Sequence, residues 1–306
     1  MAVTLNKLYV KAFEDRIRHL TQQTDARLRP WVTERSDTGS SVTWPRMGQQ
    51  TMAVKTSPRA ANGGSSTPVA TPLNDSVYTN RVNTLATYHG GDAVEQEDIN
   101  QLLIDPNSAV AQALANAARR QVDKIIIAAA LGNAYDETGA TIALPATQTI
   151  GAGGYGLTLG EIDFPAVTAV NEMFLANNVP ADEPKVFVIG PKQARKLLHI
   201  AQATQTWYVE ARQLVSGGYI RNWMGFDWIL SNLLDVNVAA TPDTIDCFAM
   251  TRRAVGLHVS KDVWARVAED PSISFAWRIY TAMTMGAVRI EDELVVKATF
   301  NNTVTP

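Results

Sequence analysis

The 306-residue sequence is poor in cysteine, in long apolar runs and in net charge. Its single cysteine, Cys247, excludes an internal disulfide framework and any zinc module built from several cysteines. The longest uninterrupted aliphatic run, residues 125–131, is far shorter than the ~20 apolar residues that a membrane-spanning helix needs. A formal net charge of −3 argues against a dedicated nucleic-acid-binding protein, which would be strongly basic.

The composition is otherwise that of an ordinary globular protein. Hydrophobic residues make up 46% of the chain and charged residues 19%, so a sizeable core is expected, and the length predicts about two domains. The first residues do not form a charged segment followed by an apolar one, so no signal peptide is predicted. We therefore expect a soluble intracellular protein.

Motifs that would carry catalysis are missing or lie in the wrong context. Gly151, Gly153 and Gly156 match the spacing of a dinucleotide-binding loop, but no buried strand precedes them and no acidic residue follows about 20 positions later. The four histidines are scattered, and none has a second histidine or a cysteine four residues away. No nucleophile elbow and no phosphate-binding loop with a lysine is present. We expect no catalytic residues, no cofactor and no metal site.

Isolated reactive groups have simpler interpretations. The acidic clusters 95–98 and 291–293 are interpreted as a solvated helix start and a solvated turn rather than as acid–base pairs. Cys247 is predicted in a buried strand, where nothing nearby would activate its thiol. The tryptophans are predicted to pack in the core or at interfaces.

The first 30 residues are basic, whereas the remainder of the chain is acidic. Lys7, Lys11, Arg16 and Arg18 lie among apolar residues at three- and four-residue spacing, which predicts one amphipathic helix that ends at Pro30. Such an arm is compatible with contact to nucleic acid, to a membrane surface or to a protein partner, and equally with an ordinary solvated helix face.

Residues 36–80 cannot form a core by themselves, because they contain one leucine and no isoleucine or phenylalanine. Strand-like segments at 41–54 and 77–88 bracket a flexible tip at 57–64, which predicts a β-hairpin arm. An isolated hairpin is marginal in water, so we expect it to lie along another surface. A disordered linker between domains is the alternative.

The clearest helix is predicted over residues 106–131. Asp105 is a suitable N-cap, Pro106 fits the first turn, and Gly132 follows the last turn. Polar residues on one side of this helix, Asn116, Arg120, Asp123 and Lys124, are predicted to face away from the core. The predicted apolar face consists of Val110, Leu114, Ala117, Ala118, Val122, Ile125, Ile126 and Ala129.

The rest of the chain is predicted as a loop-like stretch, a compact α/β segment and an all-β end. Residues 133–156 are expected to be loop. Thr158 or Thr168 is expected to cap a helix running towards residue 178, with strands at 185–189, 226–231 and 245–250 and helices at 191–200 and 208–215. A period-2 pattern predicts a strand from Ile273 to Met285, interrupted at Gly286 and followed by a strand at 294–300.

In this order the elements resemble the major capsid proteins of tailed bacteriophages that have the Hong Kong 97-type fold. The similarity covers nearly the whole chain. The matching segments are LLIDPNS at 102–108, IIAAALG at 126–132, GLTL at 156–159, VIGPKQ at 188–193, GFDWILSN at 225–232, GLHV at 256–259, SFAWRIY at 274–280 and GAVR at 286–289.

The resemblance implies an α+β fold with two arms and two domains. Residues 1–40 would form an N-terminal arm and residues 41–88 an extended β-hairpin loop. Residues 89–156 and 253–306 would form a peripheral domain around the spine helix 106–131, and residues 157–252 an inserted axial α/β domain.

The resemblance also implies a structural protein of the virion, not an enzyme. Its copies would form hexamers and pentamers of an icosahedral head around double-stranded DNA, assembled in the host cytoplasm. The loop of one subunit would lie over the peripheral domain of its neighbour. The residues expected to contact other subunits are Trp44, Lys55, Arg59 and Arg81, and those expected on an inward-facing basic arm are Lys7, Lys11, Arg16 and Arg18.

Further partners follow from the same resemblance. A separate scaffolding protein, a portal and decoration proteins are expected, and no membrane contact is. Some relatives crosslink a lysine of this loop to an asparagine of another subunit. Lys55, near the loop tip, and Asn301 or Asn302 do not match a motif for such a crosslink, so none is predicted. Two alternatives stay open: a cellular nanocompartment shell of the same fold, and, more remotely, a small-molecule enzyme that uses the glycine-rich loop 151–156.

Overall fold

The structure, a computed structural model, describes residues 20–52, 75–95, 106–151, 160–200 and 220–302. These residues form a mixed α+β fold. The α-helices are α1 (Pro106–Leu131), α2 (Phe164–Ala176) and α3 (Pro191–Leu197). The strands are β1 (Thr33–Arg35), β2 (Ser41–Met47), β3 (Tyr78–Thr84), β4 (Ala86–Val94), β5 (Ala134–Asp136), β6 (Thr141–Ile142), β7 (Thr149–Ile150), β8 (Lys185–Ile189), β9 (Asn222–Trp223), β10 (Phe226–Leu230), β11 (Val236–Asn237), β12 (Thr244–Thr251), β13 (Val255–Asp270), β14 (Ala276–Arg289) and β15 (Val295–Asn301).

The largest sheet has the strand order β7-β15-β12-β8-β10-β9, with β11 paired to β12. Every residue of β8 is buried, as expected for a central strand that is covered on both faces. Helix α2 contributes a buried apolar face to the same core, and its Phe174 ring lies 6.1 Å from that of Phe226. The predicted strands at 185–189, 226–231 and 245–250 are therefore confirmed, with small differences at their ends.

A second sheet has the order β1-β13-β14-β4. Strands β13 and β14 form a long antiparallel hairpin, registered from Val255 opposite Arg289 to Asp270 opposite Ala276. The β13 residues from Val255 to Val259 are buried, whereas most of the following residues are partly or fully exposed. The hairpin therefore begins in the core and extends beyond it.

The third sheet, β2-β3-β5-β6, contains part of the predicted hairpin arm, whose first strand ends at Met47 and does not continue through residues 48–52. Strands β2 and β3 pair antiparallel over seven residues each, from Ser41 opposite Thr84 to Met47 opposite Tyr78. The predicted second strand, 77–88, is divided between two sheets, because the chain passes at Leu85 from β3 to β4 in the second sheet. We call the β2–β3 pair the ribbon, and the second sheet with α1 the body.

Helix α1 has the predicted end points and packs against β13, β14 and β4 of the body. Its C-terminal half is the more deeply buried, and Ile126 is fully inaccessible to solvent. At Gly132 the backbone N–H donates to the Ala128 carbonyl, and a Cβ there would lie 2.5 Å from that oxygen, so glycine is required. The predicted polar face is wrong at two positions, since Asn116 and Asp123 are buried.

Other predictions need correction at element ends. Asp163 caps α2 by accepting from the Ala166 backbone N–H at 2.9 Å, so Thr168 is not the cap, and Thr158 lies outside the described residues. Gly286 does not interrupt β14, where it stands opposite His258. Ile273 and Phe275 lie in the turn before β14 rather than in a strand. Residues 133–156 contain three short strands (β5, β6 and β7) as well as loop.

Candidate assembly surfaces

The outer end of the ribbon exposes apolar side chains. Met47 is 60% exposed and Tyr78, directly opposite it, is 70% exposed. Val77 and Met52, which continue the two strands outwards, are also exposed. Exposed apolar side chains at the end of a two-stranded ribbon are typical of a segment that another protein surface covers.

The inner face of the ribbon, in contrast, lies on the body. Trp44 is half-buried, and its ring packs so closely on Gly256 of β13 that a Cβ there would lie 2.7 Å from the ring atoms. At Gly286 of β14 a Cβ would lie 2.6 Å from the Thr84 carbonyl oxygen and 2.8 Å from the Asn83 side-chain oxygen. Because these two residues of the body have no Cβ, the ribbon can pack directly on the backbone of β13 and β14.

Arg81 joins the ribbon to the body through a buried charge pair. Its side chain is almost inaccessible to solvent, and its Nη2 donates to Asp292 Oδ2 at 2.6 Å. Burial lowers the pKa of Arg81 below its ordinary value, and the Asp292 carboxylate opposes that effect. Asp292 also accepts from Arg289 Nε at 2.6 Å. Arg46 adds a bond from its Nη1 to the Ile290 carbonyl at 2.8 Å.

We call this contact the ribbon junction: Trp44, Arg46, Arg81 and Asn83 of the ribbon against Gly256, Gly286, Arg289 and Asp292. Trp44 and Arg81, which were expected at inter-subunit contacts, are thus engaged within their own subunit, and their contact with a neighbour stays a prediction. Asp292 was interpreted as part of a solvated turn, which is wrong. Sequence reasoning missed it because its arginine partners are distant or unremarkable in the sequence.

The start of the described chain is held along α1 by a second buried carboxylate. Asp123 accepts from the backbone N–H groups of Arg27 and Leu28, both at 3.0 Å, and from Gln23 Nε2 at 2.5 Å. Burial raises the pKa of Asp123, and these hydrogen bonds oppose the rise. Arg120 donates to Gln22 at 2.5 Å. These hydrogen bonds hold residues 22–28 against α1.

The outer part of the β13–β14 hairpin offers a further apolar surface. Phe275 at its turn is 59% exposed and, like Ser274, has a positive φ, which is uncommon for a residue with a side chain. Trp264 packs edge-on against Tyr280, with ring centroids 5.5 Å apart, and lies under the Lys261 ammonium group. The predicted packing role of the tryptophans is most evident in the large sheet, where Trp228 stacks on Phe187 at 4.6 Å.

Several predicted residues lie outside the described residues. They include the basic arm residues Lys7, Lys11, Arg16 and Arg18, the loop residues Lys55 and Arg59, and the glycines Gly153 and Gly156. Gly151 is described. It has a positive φ of 77°, and a Cβ there would lie 2.4 Å from the Thr299 carbonyl oxygen, so its glycine serves close packing against β15.

Among the residues that the structure describes, no cluster of three or more histidine, cysteine or carboxylate side chains could hold a metal ion. Cys247 is fully buried, and burial raises its pKa to about 12, so the thiol stays protonated at neutral pH. A cavity of about 230 Å³ between α1 and the β4–β14 pair is lined mainly by apolar groups such as Leu114 and Met283. None of the helices in the described segments is long and apolar enough to cross a membrane.

Comparisons with known proteins agree with this architecture. The model of the family described as phage capsid protein matches residues 5–302. Among solved structures, the capsid of the cyanophage P-SCSP1u is similar over 99% of this chain and 96% of its own, with a TM-score of 0.74 and 16% identity. The structure titled Mycobacterium phage Che8 is similar over 96% and 98%, with a TM-score of 0.69 and 17% identity.

A third structure, the capsid of the cyanophage Pam1, is similar over 98% of each chain, with a TM-score of 0.71 and 14% identity. No curated protein matches the sequence at a significant level. The predicted Hong Kong 97-type α+β fold is confirmed. The nanocompartment and enzyme alternatives are not favoured.

Proposed function

The chain belongs to the phage capsid protein family, and from this premise we propose that its copies assemble as hexamers and pentamers of an icosahedral head around double-stranded DNA. As a family member it is a structural protein of the virion capsid and not an enzyme. In the proposed shell, the ribbon of one subunit lies over the body of the next. Because such a contact joins two different surfaces, it can repeat around a ring until the ring closes.

The exposed outer end of the ribbon carries this proposal. Met47 and Tyr78 present apolar surface that, in the described part of the chain, is left to solvent. The change of burial along the ribbon supports a partner in another subunit. Val42, Arg81 and Asn83 are buried, whereas Met47, Val77 and Tyr78 at the outer end are exposed.

Electron microscopy of the purified full-length protein tests the proposal. We expect uniform closed shells, and a monomer that persists at high concentration would overturn the proposal. The double variant Met47→Glu/Tyr78→Glu should stay unassembled at the same concentration, because it places charge on the apolar surface. Thr43→Glu adds a charge at an exposed polar position of β2 and should still assemble. Shells from the double variant would exclude the outer ribbon as the contact.

We also propose a division of the chain into two arms and two domains, with residues 1–40 as the N-terminal arm and 41–88 as the extended loop. The peripheral domain comprises 89–156 and 253–306, and the axial domain 157–252. The sheet order adds a detail, since β7 and β15 complete the large sheet whose other strands belong to 157–252. Chain segments from both sides of the axial domain thus enter its sheet.

The basic arm is proposed to face the packaged DNA. Lys7, Lys11, Arg16 and Arg18 would meet phosphate groups without sequence specificity and with a strong dependence on salt. Replacing all four by glutamine should reduce DNA retention while shells still form. Exchanging lysine for arginine and arginine for lysine at the same positions keeps the charge and should leave DNA retention unchanged. Unchanged DNA retention in the glutamine variant would contradict this role.

The remaining proposed partners are a separate scaffolding protein, a portal and decoration proteins, with assembly in the host cytoplasm. Their support is the resemblance to tailed-phage capsid proteins. Purification of unassembled subunits from infected cells tests the scaffolding protein, because a second head protein should accompany the subunits and be absent from finished heads.

A further inference from the structure

The ribbon junction contains more positive than negative charge. Arg81 and Arg289 both bind Asp292, and Arg46 lies close enough to Arg81 to lower the pKa of Arg81 further. Two buried guanidinium groups therefore share one carboxylate. A buried charge loses its hydration and needs an opposite charge to offset that loss. Because the two guanidinium groups bind the same carboxylate, one of the two arginines is incompletely compensated.

Arg289 is the well-compensated arginine. It is inaccessible to solvent, and besides Asp292 it donates to the carbonyl oxygens of Ala130 at 3.3 Å, Gly132 at 2.5 Å and Ile142 at 3.1 Å. These bonds tie the end of α1 and strand β6 to the end of β14. If Arg81 were withdrawn, Arg289 and Asp292 would remain as a neutral, hydrogen-bonded pair.

The ribbon side of the junction is less well satisfied. Three buried donors, Arg81 Nη1, Trp44 Nε1 and Asn83 Nδ2, have no hydrogen-bond partner in the described part of the chain. Buried donors without acceptors weaken an interface, because they lose hydration and gain nothing in return. All three belong to the ribbon; His258 Nδ1 and Thr281 Oγ1 of the body are also buried without a partner among the described residues, but neither belongs to the ribbon junction.

Other connections between the ribbon and its own subunit are short. Strand β3 pairs with β5 at two registered positions, Arg81 opposite Asp136 and Val82 opposite Tyr135. Asn80 donates to the Glu137 carboxylate at 2.7 Å, and both side chains lie near the surface. Few bonds must therefore break for the ribbon to leave as a unit.

We propose that Arg289 and Asp292 form a preformed socket that positions the ribbon through Arg81, and that the ribbon leaves this socket while the body stays folded. Arg289 and Asp292 are then positioning residues for the assembly surface, a role that rests on the proposed function. The reversible docking itself is a property of the single subunit. It can be measured whether or not shells form.

Amide hydrogen exchange of the full-length chain, kept unassembled at low concentration, tests the docking. In Arg81→Met, amides of β2 and β3 should exchange at least roughly ten-fold faster, while those of β8 and β12 change less than about two-fold, because only the ribbon opens. Arg278→Met is the matched control. It removes an exposed arginine that binds Asp270 at 3.1 Å and should leave β2 and β3 unchanged. Equal acceleration in β12, or none in β2 and β3, would overturn the proposal.

A different result is expected for Asp292→Asn, which should affect the body as well as the ribbon. It removes the carboxylate that Arg81 and Arg289 both bind, so exchange should accelerate in the ribbon and also at the end of α1. Arg81→Lys keeps the charge and should fall between the wild type and Arg81→Met. If Asp292→Asn accelerated the ribbon alone, Arg289 would not depend on the socket and the proposal would fail. Absence of wild-type shells would contradict the proposed function but leave the exchange results for Arg81→Met intact.

Discussion

The large sheet and the ribbon junction bury side chains by opposite chemistry. In the large sheet, Phe187 stacks on Trp228 and meets Phe226 edge-on at 5.7 Å, within strands of buried aliphatic residues. At the ribbon junction, the central contacts are the bonds of Arg81 and Arg289 to one carboxylate. The large sheet is held together by buried apolar area, and the ribbon junction by hydrogen bonds between specific donors and acceptors.

The difference separates fixed from adjustable parts of the subunit. Apolar burial has no preferred direction and increases with area, so it holds strands β8, β10 and β12 in a core that opens only when the protein unfolds. A polar junction fixes an angle, because its bonds require defined geometry. It adds little net free energy, since the same groups are hydrated when they separate. A ribbon attached in this way has a defined position without being locked.

The strongest test of this comparison is Phe187→Ala in the large sheet. Loss of the stacked ring should lower the free energy of unfolding by about 3–5 kcal/mol, because a buried aromatic side chain is replaced by a cavity. Denaturant unfolding of the unassembled subunit measures the loss. The expected signature is faster hydrogen exchange in every strand, in contrast to the local effect at the junction.

Phe275→Ala is the control for the same side chain in an exposed place. Phe275 lies at the turn of the β13–β14 hairpin, so its removal should change the free energy of unfolding by no more than about 0.5 kcal/mol. Similar losses for the two variants would mean that burial does not distinguish the large sheet from the hairpin tip.

A smaller loss is expected for Gly286→Ala at the ribbon junction. The new Cβ would lie 2.6 Å from the Thr84 carbonyl oxygen, so the ribbon must shift at a cost of about 1–3 kcal/mol. Exchange in β2 and β3 should accelerate while Phe187 keeps its environment, measured by near-ultraviolet circular dichroism. Gly39→Ala is the control, because its Cβ would make only an ordinary contact of 3.4 Å. A change of the aromatic signal in Gly286→Ala would show that the two regions are not separable.

Much of the large sheet and α1 could be predicted from the sequence, because their signals are local. The α1 pattern repeats over seven turns between Pro106 and Gly132, and the short aliphatic run at 185–189 has few interpretations other than a buried strand. The apolar-poor hairpin arm was also predictable, since residues 36–80 lack the side chains of a core.

The ribbon junction could not be predicted, because its partners are far apart in the chain. Arg81 and Asp292 are separated by 211 residues, and the cluster 291–293 has the composition of a solvated turn. Asp123 was assigned to a polar helix face for the same reason. Whether a carboxylate is buried depends on which distant segment covers it, here Gln23 to Leu28, and no local pattern records that segment.

A small effect is also expected at an arginine–carboxylate pair on the surface, which separates charge from burial. Arg253 binds Glu183 at 3.0 and 2.7 Å, but its side chain is 62% exposed. The Glu183 side chain is only 13% exposed, but its guanidinium partner is solvated, so Arg253→Ala should lower the free energy of unfolding at neutral pH by no more than about 1 kcal/mol, measured by denaturant unfolding.

The pH dependence of this pair identifies the group responsible. The hydrogen bond from Arg253 lowers the pKa of Glu183, so the folded state binds that proton less readily than the unfolded chain. The stabilisation is therefore fully present above the unfolded-state pKa and is lost as pH falls through the lower folded-state pKa. The difference between wild type and Arg253→Ala should vanish in acid. A difference that stays constant with pH would mean that Arg253 acts through packing. A loss of about 3 kcal/mol or more, the size expected when a buried charge pair is broken, would mean that burial is not what distinguishes the ribbon junction from a surface pair.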